Sequence, residues 1–210
     1  MRNKNWLLSV LLVGLLSSIP FVRPALAETV TKAAEGLSAP VGMVFDRDGY
    51  LYIANWSGGR IDRWRSDGEL EVYLSGISSP SGLALDQMGR LYVATYSGGK
   101  ILRFTKDKKQ EVFVSGLSVV AGLNFDLNGN LLVAERGKSR VLRVSPQGKI
   151  EVLVDKGMQT PVAAVQLSES IYVINDITGR VYAYDAKNDR LRTLSDKLKS
   201  PAVGLAQVAV

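Results

Sequence analysis

The chain has 210 residues, is 46% hydrophobic and 22% charged, and carries 20 glycines, 7 prolines and a net charge of +6. This is ordinary globular composition, which excludes disorder, collagen and coiled coil as descriptions of the whole. Neither cysteine nor histidine occurs, so disulfide scaffolds, Cys- or His-ligated metals, thiol nucleophiles and Ser-His-Asp catalysis are excluded as well.

The first predicted element is an address. Arg2 and Lys4 precede an apolar run from Trp6 to Ile19, and Ala25-Leu26-Ala27 follows. A basic start, a short apolar core and a small-x-small exit define a secretory signal peptide over residues 1–27. The run is shorter than the roughly 20 residues a bilayer span needs, so stable membrane insertion after cleavage is not expected. An exported protein, periplasmic or extracellular, is expected. Arg2, Lys4 and Arg23 leave with the signal, which lowers the net charge from +6 to +3. The remaining basic residues are scattered among acids, so nucleic acid is not an expected partner.

Residues 28–210 read as one unit written repeatedly, about every 40 residues. Gly36–Ser75 and Gly76–Ser115 are identical at close to half of their positions, among them Pro40/Pro80, Gly42/Gly82, Asp46/Asp86, Gly49/Gly89, Ser57-Gly58-Gly59/Ser97-Gly98-Gly99 and Arg63/Arg103. A third copy covers Gly116–Asp155. A fourth, from about Lys156 to Leu198, is more divergent and reads as lacking one residue in its first turn. A partial fifth covers 199–210.

Each copy predicts four short strands, a to d; in the first they are Gly42–Phe45, Leu51–Ala54, Arg60–Arg65 and Leu70–Leu74. Strands b and c are rich in Ile, Val, Tyr and Trp. Between a and b, Asp46-Arg47-Asp48-Gly49 recurs as Asp86-Gln87-Met88-Gly89 and Asp126-Leu127-Asn128-Gly129, the chemistry of a tight turn opened by Asp and closed by Gly. Ser66-Asp67-Gly68 and Pro146-Gln147-Gly148 serve the c–d turns. Apolar residues on both faces of a four-stranded antiparallel unit describe the blade of a β-propeller, because a lone blade would leave two apolar faces bare. The expected fold is therefore all-β: four full blades (36–75, 76–115, 116–155, 156–198) and a partial fifth, forming an incomplete or open propeller. A linear β-solenoid is the competing architecture.

The pattern Pro-x-Gly-(apolar)-x-(apolar)-Asp-x-x-Gly-x-Leu-Tyr-(Val/Ile)-Ala, followed by Ser-Gly-Gly-(Arg/Lys)-Ile-x-Arg, resembles NHL-type propeller repeats. These are shared with gluconolactonase/regucalcin-like, strictosidine-synthase-like and streptogramin-lyase-like proteins. The resemblance implies closure at six or seven blades, which makes a truncated reading frame one expectation for this chain. It also implies a divalent cation held by Glu, Asn and Asp near the d–a loops of gluconolactonase-like enzymes. Here those loops read Ala39-Pro40-Val41-Gly42, Ser79-Pro80-Ser81-Gly82, Val119-Val120-Ala121-Gly122 and Thr160-Pro161-Val162-Ala163, without a carboxylate or amide, and Asn124 stands alone further along. The catalytic histidine that streptogramin-lyase chemistry implies has no counterpart.

The b–c loops vary most. They begin Asn55-Trp56, Thr95-Tyr96, Glu135-Arg136 and Asn175-Asp176, and variable positions on a repeated scaffold are where recognition is expected. Trp56 and Tyr96 would stack on a sugar or another flat ligand. Glu135, Asn175 and Asp176 would accept hydrogen bonds, and Glu135 and Asp176 are the candidates for a hard cation such as Ca²⁺; otherwise no cofactor is expected. The competing reading makes these loops solvated connections whose aromatics cover a neighbouring blade. The recurring Arg60, Lys100, Arg140, Arg180 and Arg63, Arg103, Arg143 read as long stems over apolar strands with their charges in water. The functional expectation is an exported binding module without catalytic residues, taking a small molecule, glycan or protein on the channel face. A metal-assisted lactone or ester hydrolase using Glu135, Asn175 or Asp176, or a fragment of one, is the alternative.

Overall fold

The computed structural model describes residues 35–65, 67–196 and 198. The expected signal peptide and the partial fifth repeat lie outside them. The described residues form four antiparallel four-stranded sheets, and each sheet follows chain order from strand a to strand d. The first blade holds β1 (Pro40–Phe45), β2 (Leu51–Asn55), β3 (Arg60–Trp64) and β4 (Glu71–Ser75). The second holds β5 (Pro80–Leu85), β6 (Leu91–Thr95), β7 (Lys100–Phe104) and β8 (Gln110–Val114). The third holds β9 (Val120–Phe125), β10 (Leu131–Glu135), β11 (Arg140–Val144) and β12 (Ile150–Val154), with a short 3₁₀ turn at Arg136–Lys138. The fourth holds β13 (Pro161–Gln166), β14 (Ile171–Asp176), β15 (Val181–Asp185) and β16 (Arg190–Ser195). The all-β propeller expectation holds, with strand ends displaced by one or two residues from those read in the sequence.

The turn chemistry sets the hairpins. Asp46 Oδ1 accepts the amides of Asp48 and Tyr50, each at 2.9 Å, and Asp86 and Asp126 repeat the arrangement. Gly49 closes the turn at φ +84°, where an L side chain would be strained. Tyr52 donates its hydroxyl to Asp46 Oδ2 at 3.2 Å, and burial pushes this phenol up to about 12, so it remains a neutral donor. The same irregularities recur in every blade, one where strand a meets b and one between c and d. Bulges increase the local twist, which lets the inner and outer strands of one blade point in different directions.

The fourth blade corrects the repeat alignment. Its a–b turn has the same length as the others, closed from Leu167 N–H to the Ile171 carbonyl where blade 3 closes from Asp126 to Asn130. The missing residue lies in the b–c loop, four residues from Asp176 to Arg180 against five from Glu135 to Arg140. An extra residue before Pro161 offsets it. Leu167 stands where the other blades have the turn aspartate, so the sequence alone places the gap in that turn.

The blades pack face to face. Between blades 1 and 2, Tyr52, Ala54, Ile61 and Leu74 meet Leu83, Leu91, Val93 and Phe104. Between blades 2 and 3, Tyr92, Ile101 and Val114 meet Leu123, Leu131, Val133 and Val144. Between blades 3 and 4, Leu132, Val141 and Leu153 meet Ala164, Tyr172, Ile174 and Tyr182. Each junction is apolar from the inner strand outwards, so blades fan side by side and do not coil along a line. Arg63, Arg103 and Arg143 do more than lay stems over the sheet: each pairs with the glutamate opposite it on strand d, Glu71, Glu111 and Glu151.

The inner strands approach so closely that their glycines are required by space. A Cβ on Gly122 would collide with the Val162 carbonyl and lie 3.2 Å from Ala163 Cα, and one on Gly82 would meet the amide of Leu123 at 2.7 Å. Gly116, by contrast, is at φ +79° with nothing within 4 Å. We therefore expect Gly122→Ala to lower unfolding free energy by about 1–3 kcal/mol through overpacking. Gly116→Ala should carry only the backbone strain of a left-handed residue, about 1 kcal/mol. Denaturant midpoints at constant slope measure both, and equal costs would remove the close-approach explanation.

Candidate functional site at the loop face of the blades

The d–a and b–c connections lie at the same end of every blade. Entry to strand a passes through one left-handed residue per blade: Ala39, Ser79, Val119 and Thr160, at φ +50°, +46°, +51° and +42°. None is glycine, and Val119 and Thr160 are β-branched, for which this region is unfavourable. The strain holds one carbonyl in place. Those of Ala39, Ser79, Val119 and Thr160 accept the amides of Trp56, Tyr96, Arg136 and Ile177 at 2.9–3.3 Å. The two loops of each blade are thus tied together, and the residue just after strand b is fixed on this end of the fold.

The polar residue ending strand b forms the second tie. Asn55 is fully buried; its Oδ1 accepts the Ser38 amide at 2.7 Å, and its Nδ2 donates to Asp62 Oδ2 at 2.9 Å. Glu135 repeats this by accepting the Ser118 amide at 2.8 Å and binding Arg140. Thr95 instead bonds the backbone of Lys100 through its hydroxyl. Asp176 accepts from Thr178, Arg180 N and Tyr182 OH, the last at 2.7 Å. Burial alone would raise the Asp176 pKa; the hydrogen bonds from Thr178, Tyr182 and Arg180 outweigh it and hold the carboxyl below its ordinary value.

The expected loop pairs therefore divide. Asn55, Thr95, Glu135, Asn175 and Asp176 are buried where the sequence suggested a displayed surface; Asn55 and Glu135 tie the d–a loop to the b–c loop, and Thr95 and Asp176 brace the b–c loop itself. Trp56, Tyr96 and Arg136 are the members placed outward. Asp176 also takes the place of Asn55, Thr95 and Glu135, so the counterpart of Arg136 in blade 4 is Ile177, a residue the sequence reading did not name. The one-residue-shorter loop is the only signal that could have exposed it.

The outward residues converge. Trp56, 41% exposed, stands edge-on to Tyr96, with ring centroids 6.2 Å apart at 89°. Arg136 Nη1 donates to Tyr96 OH at 2.8 Å, and the guanidinium carbon lies 5.6 Å from the Tyr96 ring centre. Arg136 Nε is shielded from solvent and has no hydrogen-bond partner among the described residues. Three successive blades thus supply an indole, a phenol and a guanidinium in one row. Arg60, Lys100 and Arg140 begin the c strands at this same end. Of these, Arg60 and Arg140 are paired with the buried acids Asp62 and Glu135. The row can stack on a flat ring and can donate charge-assisted hydrogen bonds. Among the described residues no group of three or more Asp or Glu side chains converges as a metal site would need. A depression of about 450 Å³ beside Lys156, Asp189 and Leu191 lies on the outer strands, apart from this row.

No family profile matches the chain, and no curated protein sequence matches it. Solved structures do. Virginiamycin B lyase from Staphylococcus aureus superposes with TM-score 0.65 at 18% identity, over 77% of this chain and 57% of the lyase. A gluconolactonase from Xanthomonas campestris gives 0.63 at 19% identity, over 71% of this chain and 59% of the enzyme. Nidogen, solved in complex with laminin, gives 0.55 at 18% identity over 75% of this chain and 79% of that one. The chain thus spans less than two thirds of either enzyme. The likeness is one of fold: the chain shares the β-propeller architecture of these structures.

The Asp176 tie gives a pH-dependent prediction. A carboxylate whose pKa is depressed by folding stabilises above its unfolded value, about 3.9, and loses that contribution as pH falls through the folded value. Asp176→Asn should therefore lower stability at neutral pH by about 1–3 kcal/mol and flatten the decline of stability below pH of about 4. Thermal melts across that range measure it; an unchanged acid limb would remove Asp176 from the loop tie.

Proposed function

We propose that this protein is an exported binding module whose ligand surface is the loop face of the propeller, with Trp56, Tyr96 and Arg136 as contact residues. One observation carries the reading: three adjacent blades place aromatic, aromatic and cationic side chains in mutual contact on one face, each anchored by a backbone bond to a strained d–a residue. Residues on rigid strand ends keep their geometry better than residues on free loops. The aromatic pair suits a planar or sugar ring. Arg136, its guanidinium held against Tyr96, suits an anionic group on that ring, and a carboxylated sugar combines the two. Export rests on the signal-like composition of residues 1–27.

The hydrolase alternative would need a cation, and its strongest candidates are already engaged. Glu135 is bound by Ser118 and Arg140, and Asp176 by Thr178, Arg180 and Tyr182. A metal would have to displace these partners. The chain also lacks histidine, so a histidine-dependent lyase reaction has no residue to perform it.

The test is a titration of oligogalacturonate and its neutral, methyl-esterified form, followed by Trp56 fluorescence with Trp64 replaced by Phe. The acidic form should bind, and Tyr96→Ala or Arg136→Ala should weaken it at least tenfold, the effect of about 1.4 kcal/mol. Added Ca²⁺ should leave the melting temperature unchanged. Equal binding to all variants would refute the contact row, and a Ca²⁺-dependent rise lost in Glu135→Ala would favour the hydrolase.

A further inference from the structure

The cations that open the c strands beside the contact row are not equivalent. In blades 1 and 3 each is neutralised within its own blade: Arg60 Nε pairs with Asp62 at 2.8 Å, and Arg140 pairs with Glu135. Blade 2 has neither acid. Leu102 stands where blade 1 has Asp62, and Thr95 stands where blade 3 has Glu135. The Thr95 hydroxyl accepts from the Lys100 amide and donates to the Lys100 carbonyl, so it braces the backbone and cannot balance a charge. Lys100 is exposed where Arg60 and Arg140 are half-buried, and among the described residues its ammonium has no ion-pair partner. The register fixes where it points. Lys100 is the cross-strand partner of Thr95, the residue before Tyr96. Such partners share a face, and Val93 and Leu102, two residues along each strand, pack against Tyr52, Ala54 and Ile61 of blade 1. Lys100 therefore leaves its strand on the blade 1 side of Tyr96, the side of Trp56, while Arg136 reaches Tyr96 from blade 3.

We propose that Lys100 sets the specificity of this face by binding a second anionic group, so that the ligand is a chain with carboxylates on two successive sugar rings, one held by Arg136 and one by Lys100. The inference rests on the reading of Trp56, Tyr96 and Arg136 as the contact row and names the ligand that row selects. A carboxylate at position 95 or 102 would hold the ammonium as Glu135 and Asp62 hold their arginines; uncharged residues at both leave the charge for a ligand. The paired arginines of blades 1 and 3 have already given their charge to the protein, so a chain lying along the row meets Lys100 as its second charged donor. The rings of Trp56 and Tyr96 have centroids 6.2 Å apart, which places an aromatic surface beside each of two adjoining units. The two cations also divide the work. Arg136 is oriented by its bond to Tyr96 OH, whereas a lysine is a mobile point charge that follows the second carboxylate.

Calorimetric titration with galacturonate and with digalacturonate separates the two charges. The wild type should bind digalacturonate at least tenfold more tightly than galacturonate. Lys100→Gln should bring that ratio close to one, and Lys100→Arg should keep it. Thr95→Glu should also erase the preference with Lys100 still in place, because the new carboxylate stands where Glu135 holds Arg140. A wild-type ratio near one would overturn the proposal, as would a ratio that survives Lys100→Gln; in both cases the contact row itself would stand. Failure of the wild type to bind either sugar would overturn the row and this inference together, so the two failures are told apart. If Thr95→Glu does not fold, Lys100→Gln decides by itself, since that side chain is exposed.

Discussion

Every blade has two apolar faces and cannot shield either. That constraint organises the rest. A four-stranded sheet with Ile, Val, Leu and Tyr on both sides is stable only between neighbours, and the junctions formed by Tyr52 with Leu83, Ile101 with Leu123 and Leu132 with Ala164 are where the chain meets it. The glycines of the inner strands follow from the same constraint. Backbones near the axis come close enough that a methyl group on Gly82 or Gly122 would strike the next strand. The twist supplied by the repeated bulges then spreads the outer strands and leaves room for Tyr92 to meet Phe113 and Phe125 edge-on at 5.0 and 5.2 Å.

A rigid stack has a consequence at its loop end. Because each blade is fixed by its neighbours, the loops can carry backbone strain without collapsing. Four left-handed residues, two of them β-branched, hold carbonyls that position Trp56, Tyr96, Arg136 and Ile177. Buried polar groups at the ends of the b strands complete the support, Asn55 and Glu135 by reaching the d–a loop and Thr95 and Asp176 by bracing the b–c loop. The row of side chains proposed to meet ligand thus stands on the most constrained backbone in the fold, an arrangement that pre-organises contact and limits the entropy lost on binding.

Much of this fold was legible in the sequence, because its determinants are local and repeat. Asp46 and Gly49 announce a turn, the Leu-Tyr-(Val/Ile)-Ala run announces a strand, and their recurrence announces blades. The loop face was less legible. Asn55, Thr95 and Glu135 differ from blade to blade, and variation suggested recognition; the structure shows that amide, hydroxyl and carboxylate all serve to tie a loop, so the variation there is structural. The one-residue-shorter loop of blade 4 shifts Asp176 onto the position of Glu135, a shift that the divergent a–b turn hides in the sequence. The left-handed residues could not have been read at all. Ala39, Ser79 and Thr160 precede proline, a setting that ordinarily favours extended backbone, and none is the glycine or asparagine that would have signalled the conformation.

Native-state hydrogen exchange tests most directly whether blade-on-blade packing holds the fold together. If it does, amides of the central strands β6, β7, β10 and β11 will share one opening free energy, equal to that of global unfolding, and Gly122→Ala will lower them together. Separate opening energies for the second and third blades, with only the third responding to Gly122→Ala, would contradict it.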